Sequence, residues 1–170
     1  MIIRITNQDI KDGKINKEAL ALLGTDAVEF QGDKIIFKTN VDFYECDGLS
    51  SVEGLMFNGT VTFRYGESLT SVSGATFNGV VKFWYCDSLV SVASSTFNDA
   101  ILFLSCDSLS SVSGATFNCD VEFSWCYSLT SVSGATFNGN VRFDRCNSLT
   151  SVSGATFKKG FEAISCPNLK

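Results

Sequence analysis

Six cysteines fall at intervals of 20 or 40 residues in this chain, and thiols at regular spacing could form disulfides, bind metal or react as nucleophiles. They are Cys46, Cys86, Cys106, Cys126, Cys146 and Cys166; a seventh, Cys119, lies outside the series. Zinc sites commonly use C-x-x-C pairs, and the chain has none. We therefore expect buried thiols that pack as small apolar residues, with Cys119, at a turn, as the most reactive.

The absence of histidine narrows the possible chemistry further. Without it the chain lacks Ser-His and Cys-His nucleophile pairs and every zinc site that needs imidazole. No glycine-rich phosphate loop and no carboxylate pair at catalytic spacing occur either. We predict a protein that is not an enzyme and that has no catalytic residue, no cofactor and no metal.

An acidic column follows the cysteine position in four successive repeats and consists of Asp47, Glu67, Asp87 and Asp107. Stacked like charges repel one another, so these carboxylates must be solvated, cap turn amides or meet a cation. The next repeats carry Tyr127 and Asn147 instead, which argues against a calcium ladder. We expect turn capping; the alternative is an acidic strip that faces a basic partner.

These columns belong to a repeat of 20 residues that runs without insertion from Val41 to the end of the chain. The segment SLTSVSGATFNG occurs unchanged at 68–79 and 128–139. A strict period of this length indicates a solenoid, because each coil buries its apolar side against the next. The V-x-F triplets alternate as in a strand, and an asparagine column predicts stacked amides at the opposite turn.

The frame V-x-F-x-x-C-x-x-L-x-x-V resembles the leucine-rich repeat family in its cysteine variant. VRFDRCNSL at 141–149 fits that variant position by position, and CDSLSSV at 106–112 is similar to the bacterial surface-antigen branch. The resemblance implies a β-rich, right-handed solenoid of short parallel strands. Asparagine at 118 and 138 replaces the apolar residue that the family pattern expects, so a parallel β-helix stays the alternative.

Residues 1–40 are predicted to form an N-terminal cap of strand, helix and short coil ahead of the tandem repeats at 41–170. Ile3-Arg4-Ile5 and Val28-Glu29-Phe30 resemble the repeat strands, the second opening a coil shortened to 13 residues. Between them KEALALLG, preceded by Asn16, predicts a helix with an asparagine N-cap that stops at Gly24. We therefore expect about nine parallel strands and a capping helix.

Charge and patterning predict the compartment and exclude some partners. The start MIIRITNQDIKDG lacks the pattern of a signal peptide, and no apolar run approaches the roughly 18 residues of a membrane helix. Cysteines without a secretion signal favour the reducing cytoplasm. The net charge is −5, with 7 Lys and Arg against 12 Asp and Glu in residues 41–170, which disfavours binding to phosphate backbones. We expect neither nucleic acid nor membrane as a partner.

The variable positions of the V-x-F-x-x-C segment should face solvent, because only the recurring positions must match in stacked coils. Both tryptophans and all four tyrosines occur there or just beyond. Apolar patches of this kind are uncommon on soluble proteins unless a partner binds, although aromatic residues also pack across strands. The predicted partner-binding residues are Tyr44, Arg64, Tyr65, Lys82, Trp84, Tyr85, Leu102, Leu104, Glu122, Trp125, Tyr127, Arg142, Asp144 and Arg145.

A protein partner on this variable face is the predicted ligand, and the predicted action is inhibition by covering that partner, as a phage or mobile-element antagonist of a host enzyme would act. The alternatives are a structural protein that assembles end to end and a carbohydrate binder that stacks sugars on tryptophan and tyrosine. The last coil should also expose an edge and an apolar rim. We therefore expect a homodimer through Phe161, Ile164 and Leu169.

Overall fold

A computed structural model of the chain describes residues 2–32 and 34–170. These residues form a β-solenoid with almost no helix, in which parallel strands of successive coils stack into two long sheets. In chain order the elements are β1 (Ile2–Ile5), a 3-10 helix (Asn7–Asp9), β2 (Ile10–Lys11), β3 (Lys14–Ile15), α1 (Lys17–Ala21), β4 (Val28–Gln31), β5 (Lys34–Phe37), β6 (Asn40–Tyr44), β7 (Met56–Phe57), β8 (Val61–Arg64), β9 (Thr76–Phe77), β10 (Val81–Trp84), β11 (Thr96–Phe97), β12 (Ile101–Leu104), β13 (Thr116–Phe117), β14 (Val121–Ser124), β15 (Thr136–Phe137), β16 (Val141–Asp144), β17 (Thr156–Phe157) and β18 (Phe161–Ile164).

The first sheet is built from the predicted V-x-F strands. Among the described residues it contains eight strands in the order β1-β6-β8-β10-β12-β14-β16-β18, all parallel. Register advances by one repeat at each step, so that Val81 pairs with Ile101 and Phe83 with Phe103. Because this shift equals the sequence period, every column stacks equivalent residues.

The second sheet covers the opposite side of the coil with two-residue strands. Its order is β17-β15-β13-β11-β9-β7-β5-β4, and all neighbours are parallel except the antiparallel pair β4 and β5. Single parallel bridges between serines 20 residues apart, from Ser51 to Ser151, form a third line along the solenoid. A small hairpin of β2 and β3 stands outside both sheets.

Two columns of phenylalanine form the centre of the core, one from each sheet. Rings in a column stack nearly parallel, with centroids 4.6 to 5.4 Å apart from Phe43 to Phe143. Rings of opposite columns meet edge to face, as for Phe97 and Phe103 at 6.3 Å. Twelve phenylalanines are fully buried: Phe37, Phe43, Phe57, Phe63, Phe77, Phe83, Phe97, Phe103, Phe117, Phe123, Phe137 and Phe143.

The asparagine column forms the predicted ladder of stacked amides. Each Nδ2 donates to the Oδ1 of the asparagine one coil earlier, over 2.5 to 2.8 Å, through Asn58, Asn78, Asn98, Asn118 and Asn138. The amide ladder therefore runs parallel to the backbone ladder and joins five coils at one edge. The next coil carries Lys158 at the equivalent position.

The N-terminal segment departs from the predicted coil scheme. β4 does not continue the first sheet; it pairs antiparallel with β5, and Phe30 is exposed rather than inward. Only two residues separate β4 from β5, which is long enough for a hairpin and too short for a coil. The first sheet thus has eight described strands instead of nine. Helix α1 has the expected N-cap, since Asn16 Oδ1 accepts from the backbone of Glu18, but it ends at Ala21.

Candidate functional site

The outer side of the first sheet, called the strand face below, has a corner row that ends each strand. Its members are Glu45, Tyr65, Tyr85, Ser105, Trp125, Arg145 and Ser165, and all have φ between 51° and 62°. This left-handed backbone breaks the alternation of the strand. As a result two consecutive side chains, such as Trp84 and Tyr85, point outward before Cys86 returns to the core. The sequence indicated the directions but not the backbone conformation that produces them.

Three tyrosines come together on the first half of the strand face and are called the tyrosine stack. Tyr65 and Tyr85 lie parallel, with ring centroids 5.5 Å apart, and Tyr44 meets Tyr65 edge to face at 6.0 Å. The three residues are 42%, 46% and 46% exposed in chain order. The structure therefore assembles predicted binding residues from three coils into one accessible aromatic surface.

Trp84 is less accessible than its predicted role as an anchor required. The guanidinium carbon of Arg64 lies 4.4 Å from the centroid of its ring, and Lys82 Nζ lies 5.3 Å away. The side chain is half-buried. Trp84 thus forms the floor of a groove of about 330 Å³ whose lining also includes Arg64, Tyr65, Tyr85 and Leu104.

The second half of the strand face carries a charged cluster in which opposite charges pair with one another. Arg142 lies 3.6 Å from both Glu122 and Asp144 and 3.7 Å from Glu162, and Arg145 lies 3.6 Å from Asp144. Exposed pairs of this kind add little stability. Because these residues compensate each other's charge, the predicted rim residues Glu122, Arg142, Asp144 and Arg145 present little net charge to a partner.

The remaining predicted binding residues surround these two regions. Leu102, between Lys82 and Glu122 in strand register, is half-buried. Trp125 and Tyr127 are exposed, and the guanidinium carbon of Arg145 lies 5.3 Å from the centre of the Trp125 ring. Ser124 also occupies an outward position but is buried, because its hydroxyl donates to Glu122 over 2.8 Å. The strand face is therefore two surfaces, one aromatic and one charged, rather than a single patch.

The acidic column borders the tyrosine stack and is exposed in all four coils. Its carboxylates accept no hydrogen bond and join no ion pair among residues 2–32 and 34–170, so the expected capping of turn amides is wrong. Partial burial, and then the charges of Asp107 and Glu67, raise the pKa of Asp87. Residues 41–110 contain eight Asp and Glu and two Lys and Arg, a net charge of −6, so this half of the solenoid is strongly negative.

The cysteine column faces the core as predicted. Cys46, Cys86, Cys106, Cys126 and Cys146 are buried, and Cys166 is half-buried. Burial raises the pKa of Cys46 to about 11 and that of Cys119 likewise to about 11, so the reactivity expected of Cys119 is not supported. Over the described ranges no group of three or more Cys, Asp or Glu is placed to hold a metal ion.

The last coil exposes apolar side chains at one end of the solenoid. Phe161 is exposed, and Ile164 and Leu169 are half-buried. In the described structure β18 pairs only with β16, and a cleft of about 580 Å³ beside it is lined by Phe161, Arg142 and Lys159 among others. The three residues predicted for self-association thus lie together on the terminal coil.

No protein-family model, curated protein or solved structure matches this chain. In the part of the chain that the structure describes, no helix is long and apolar enough to cross a membrane. Inferences about function therefore depend on the geometry of the strand face.

Proposed function

We propose that this chain is a non-enzymatic protein-binding solenoid, and that its recognition surface is the tyrosine stack together with the Trp84 groove. The tyrosine stack carries the proposal, because three accessible rings are held in fixed positions by a paired sheet. Tyrosine supplies a large contact area with little loss of side-chain freedom on binding, and interface hot spots are enriched in it. Packing across strands alone would not require nearly half of each side chain to be exposed.

The proposed action is inhibition by occlusion in the cytoplasm. A flat sheet face suits covering a partner's surface better than enclosing a small molecule. A phage or mobile-element protein that neutralises a host enzyme is one setting that fits such a binder.

Finer features of the fold belong to the same proposal. We suggest that residues 1–40 cap the solenoid, since β1 pairs with β6 and Leu20 of α1 is buried against the core. A right-handed, leucine-rich-repeat-like coil is supported by buried leucine and cysteine columns at the spacing of that family, including Leu109 and Cys106.

Removing two rings of the stack tests the recognition surface. Tyr65→Ser with Tyr85→Ser should weaken binding to a captured partner at least about tenfold, the size expected for hot-spot residues. Serine suits these positions because Ser105 and Ser165 adopt the same left-handed backbone. A purified partner, first obtained by affinity capture from a bacterial lysate, would be titrated against native and variant protein by calorimetry.

Tyr127→Ser is the matched control, because Tyr127 is exposed but lies outside the stack. It should change the affinity less than about threefold. Equal losses for Tyr127→Ser and the double variant, or no loss for either, would contradict the proposed surface. Glycan binding that disappears with the double variant would instead favour the carbohydrate alternative.

End-to-end self-association is a second proposal, and the exposed apolar side chains of the terminal coil favour it. The free edge of β18 could pair with β18 of a second copy about a twofold axis. Growth beyond a dimer with rising concentration would indicate the assembling structural protein.

Phe161→Glu should abolish this association, since it places a charge in the apolar contact. Sedimentation velocity between about 1 and 50 µM, around micromolar affinity, would measure it. Phe30→Glu is the control, because Phe30 is 41% exposed and Phe161 44%, at opposite ends of the solenoid. A native protein that stays monomeric, or equal effects of both changes, would refute association through β18.

A further inference from the structure

The groove beside Tyr44 has a lining of aromatic rings and carboxylates alone. It measures about 440 Å³ and is formed by Tyr44, Glu45, Asp47, Tyr65 and Glu67. Carboxylates offer only hydrogen-bond acceptors when ionised, and ring faces carry negative electrostatic potential. The groove therefore complements a cation that also has a flat or apolar surface to stack.

The negative charge of this region is not compensated within the described chain. The ion pairs on the second half of the strand face join opposite charges to each other, whereas no lysine or arginine lies within ion-pair distance of the acidic column in the described ranges. The two basic residues of 41–110, Arg64 and Lys82, lie over Trp84 instead. A net charge of −6 remains over this half and would attract a basic partner from solution.

The strand face already seats cations on aromatic rings. Arg64 lies over Trp84 and Arg145 over Trp125, with the guanidinium carbon 4.4 and 5.3 Å from the ring centroid. Within the described structure no such cation covers Tyr65 or Tyr85. The tyrosine rings are thus the aromatic surfaces of this half that stay open to a cation from outside.

We propose that the partner of this surface presents a basic segment whose arginine or lysine side chains lie on the tyrosine stack, with their charged groups against Glu67, Asp87 and their neighbours in the acidic column. This inference rests on the proposed function and specifies the chemistry of the partner. Cation–π contact, charge attraction and desolvation by the rings act together at such a site. The raised pKa of Asp87 agrees with it, because an incoming cation would relieve the repulsion from Asp107 and Glu67.

Defined peptides test the proposal with the full chain. The probes are fluorescein-labelled Gly-Arg repeats of eight residues and the matching Gly-Glu repeats, followed by fluorescence anisotropy. The native protein should bind the arginine peptide and not the glutamate peptide, and binding should weaken as salt is raised, because charge attraction is screened. Glu67→Gln with Asp87→Asn, and separately Tyr65→Ser with Tyr85→Ser, should each weaken binding at least about tenfold.

Asp99→Asn with Asp120→Asn is the matched control. It removes the same charge from two exposed residues at the opposite turn, and amide oxygens can keep the hydrogen bonds that Asp99 and Asp120 accept from Ala100 and Asn140. It should change affinity less than about twofold. Equal loss in both charge variants would show general attraction to an acidic protein and overturn the proposal, as would loss in the acidic variant alone. If the arginine peptide does not bind while a captured partner is still lost with Tyr65→Ser and Tyr85→Ser, the basic segment is wrong and the recognition surface stands.

Discussion

Replacing Phe103 by alanine is expected to lower the free energy of unfolding by about 3–5 kcal/mol. Phe103 is fully buried at the middle of its column and stacks on Phe83 at 5.1 Å and on Phe123 at 4.9 Å. Its edge also meets Phe97 of the other column. Alanine would leave a cavity that the rigid coils on either side cannot fill, because their backbones are fixed by the same ladder.

Leu102→Ala gives the internal comparison for Phe103→Ala. Leu102 precedes Phe103 on β12 but faces outward and is half-buried. Its loss should be about 1 kcal/mol or less. Urea denaturation followed by circular dichroism would measure both variants. Similar losses for the two would mean that the phenylalanine columns do not dominate the stability of the solenoid.

The repeated positions could be predicted from the sequence because stacking imposes the same demand on every coil. Phe83, Cys106 and Asn98 recur at intervals of 20, and the structure places each in a column of identical or similar residues. A residue that must pack on its own copy can be assigned from periodicity alone. The strands, the inward cysteines and the amide ladder follow from that rule.

Features without a repeated counterpart could not be predicted in the same way. The antiparallel pairing of β4 depends on a two-residue connection that occurs once, and the short match at Val28-Glu29-Phe30 concealed it. The variable face gave residue types but no pairing. Only the structure shows that Arg64 lies over Trp84 or that Arg142 lies among Glu122, Asp144 and Glu162. Side chains of neighbouring coils compete for the same partners, and that competition has no period.

One irregularity in the cysteine column predicts a stabilising substitution. Gly66 is the member that lacks a side chain; it is buried, and a Cβ there would lie 3.5 Å from Leu69 Cβ and 3.9 Å from Cys86 Sγ, in ordinary contact. The positive-φ residues of 2–32 and 34–170 include neither Gly66 nor the six cysteines of the column. Gly66→Ala should therefore raise the free energy of unfolding by about 0.4–1 kcal/mol. Gly66→Cys should raise it by about 1–2 kcal/mol, because it also buries the thiol.

Gly74→Ala, in the same coil, should have the opposite sign. Gly74 has φ of +68°, and the nearest atom to an added Cβ is Gly54 N at 4.0 Å, so space is available and only the backbone conformation is unfavourable. Left-handed backbone with a Cβ costs about 1 kcal/mol or more. Urea midpoints of the three variants should thus fall in the order Gly66→Cys, Gly66→Ala, native, Gly74→Ala. Destabilisation by Gly66→Cys would show that the gap in the column is closed by neighbouring side chains, whereas an unchanged Gly74→Ala would show that this turn adapts to an L side chain without strain.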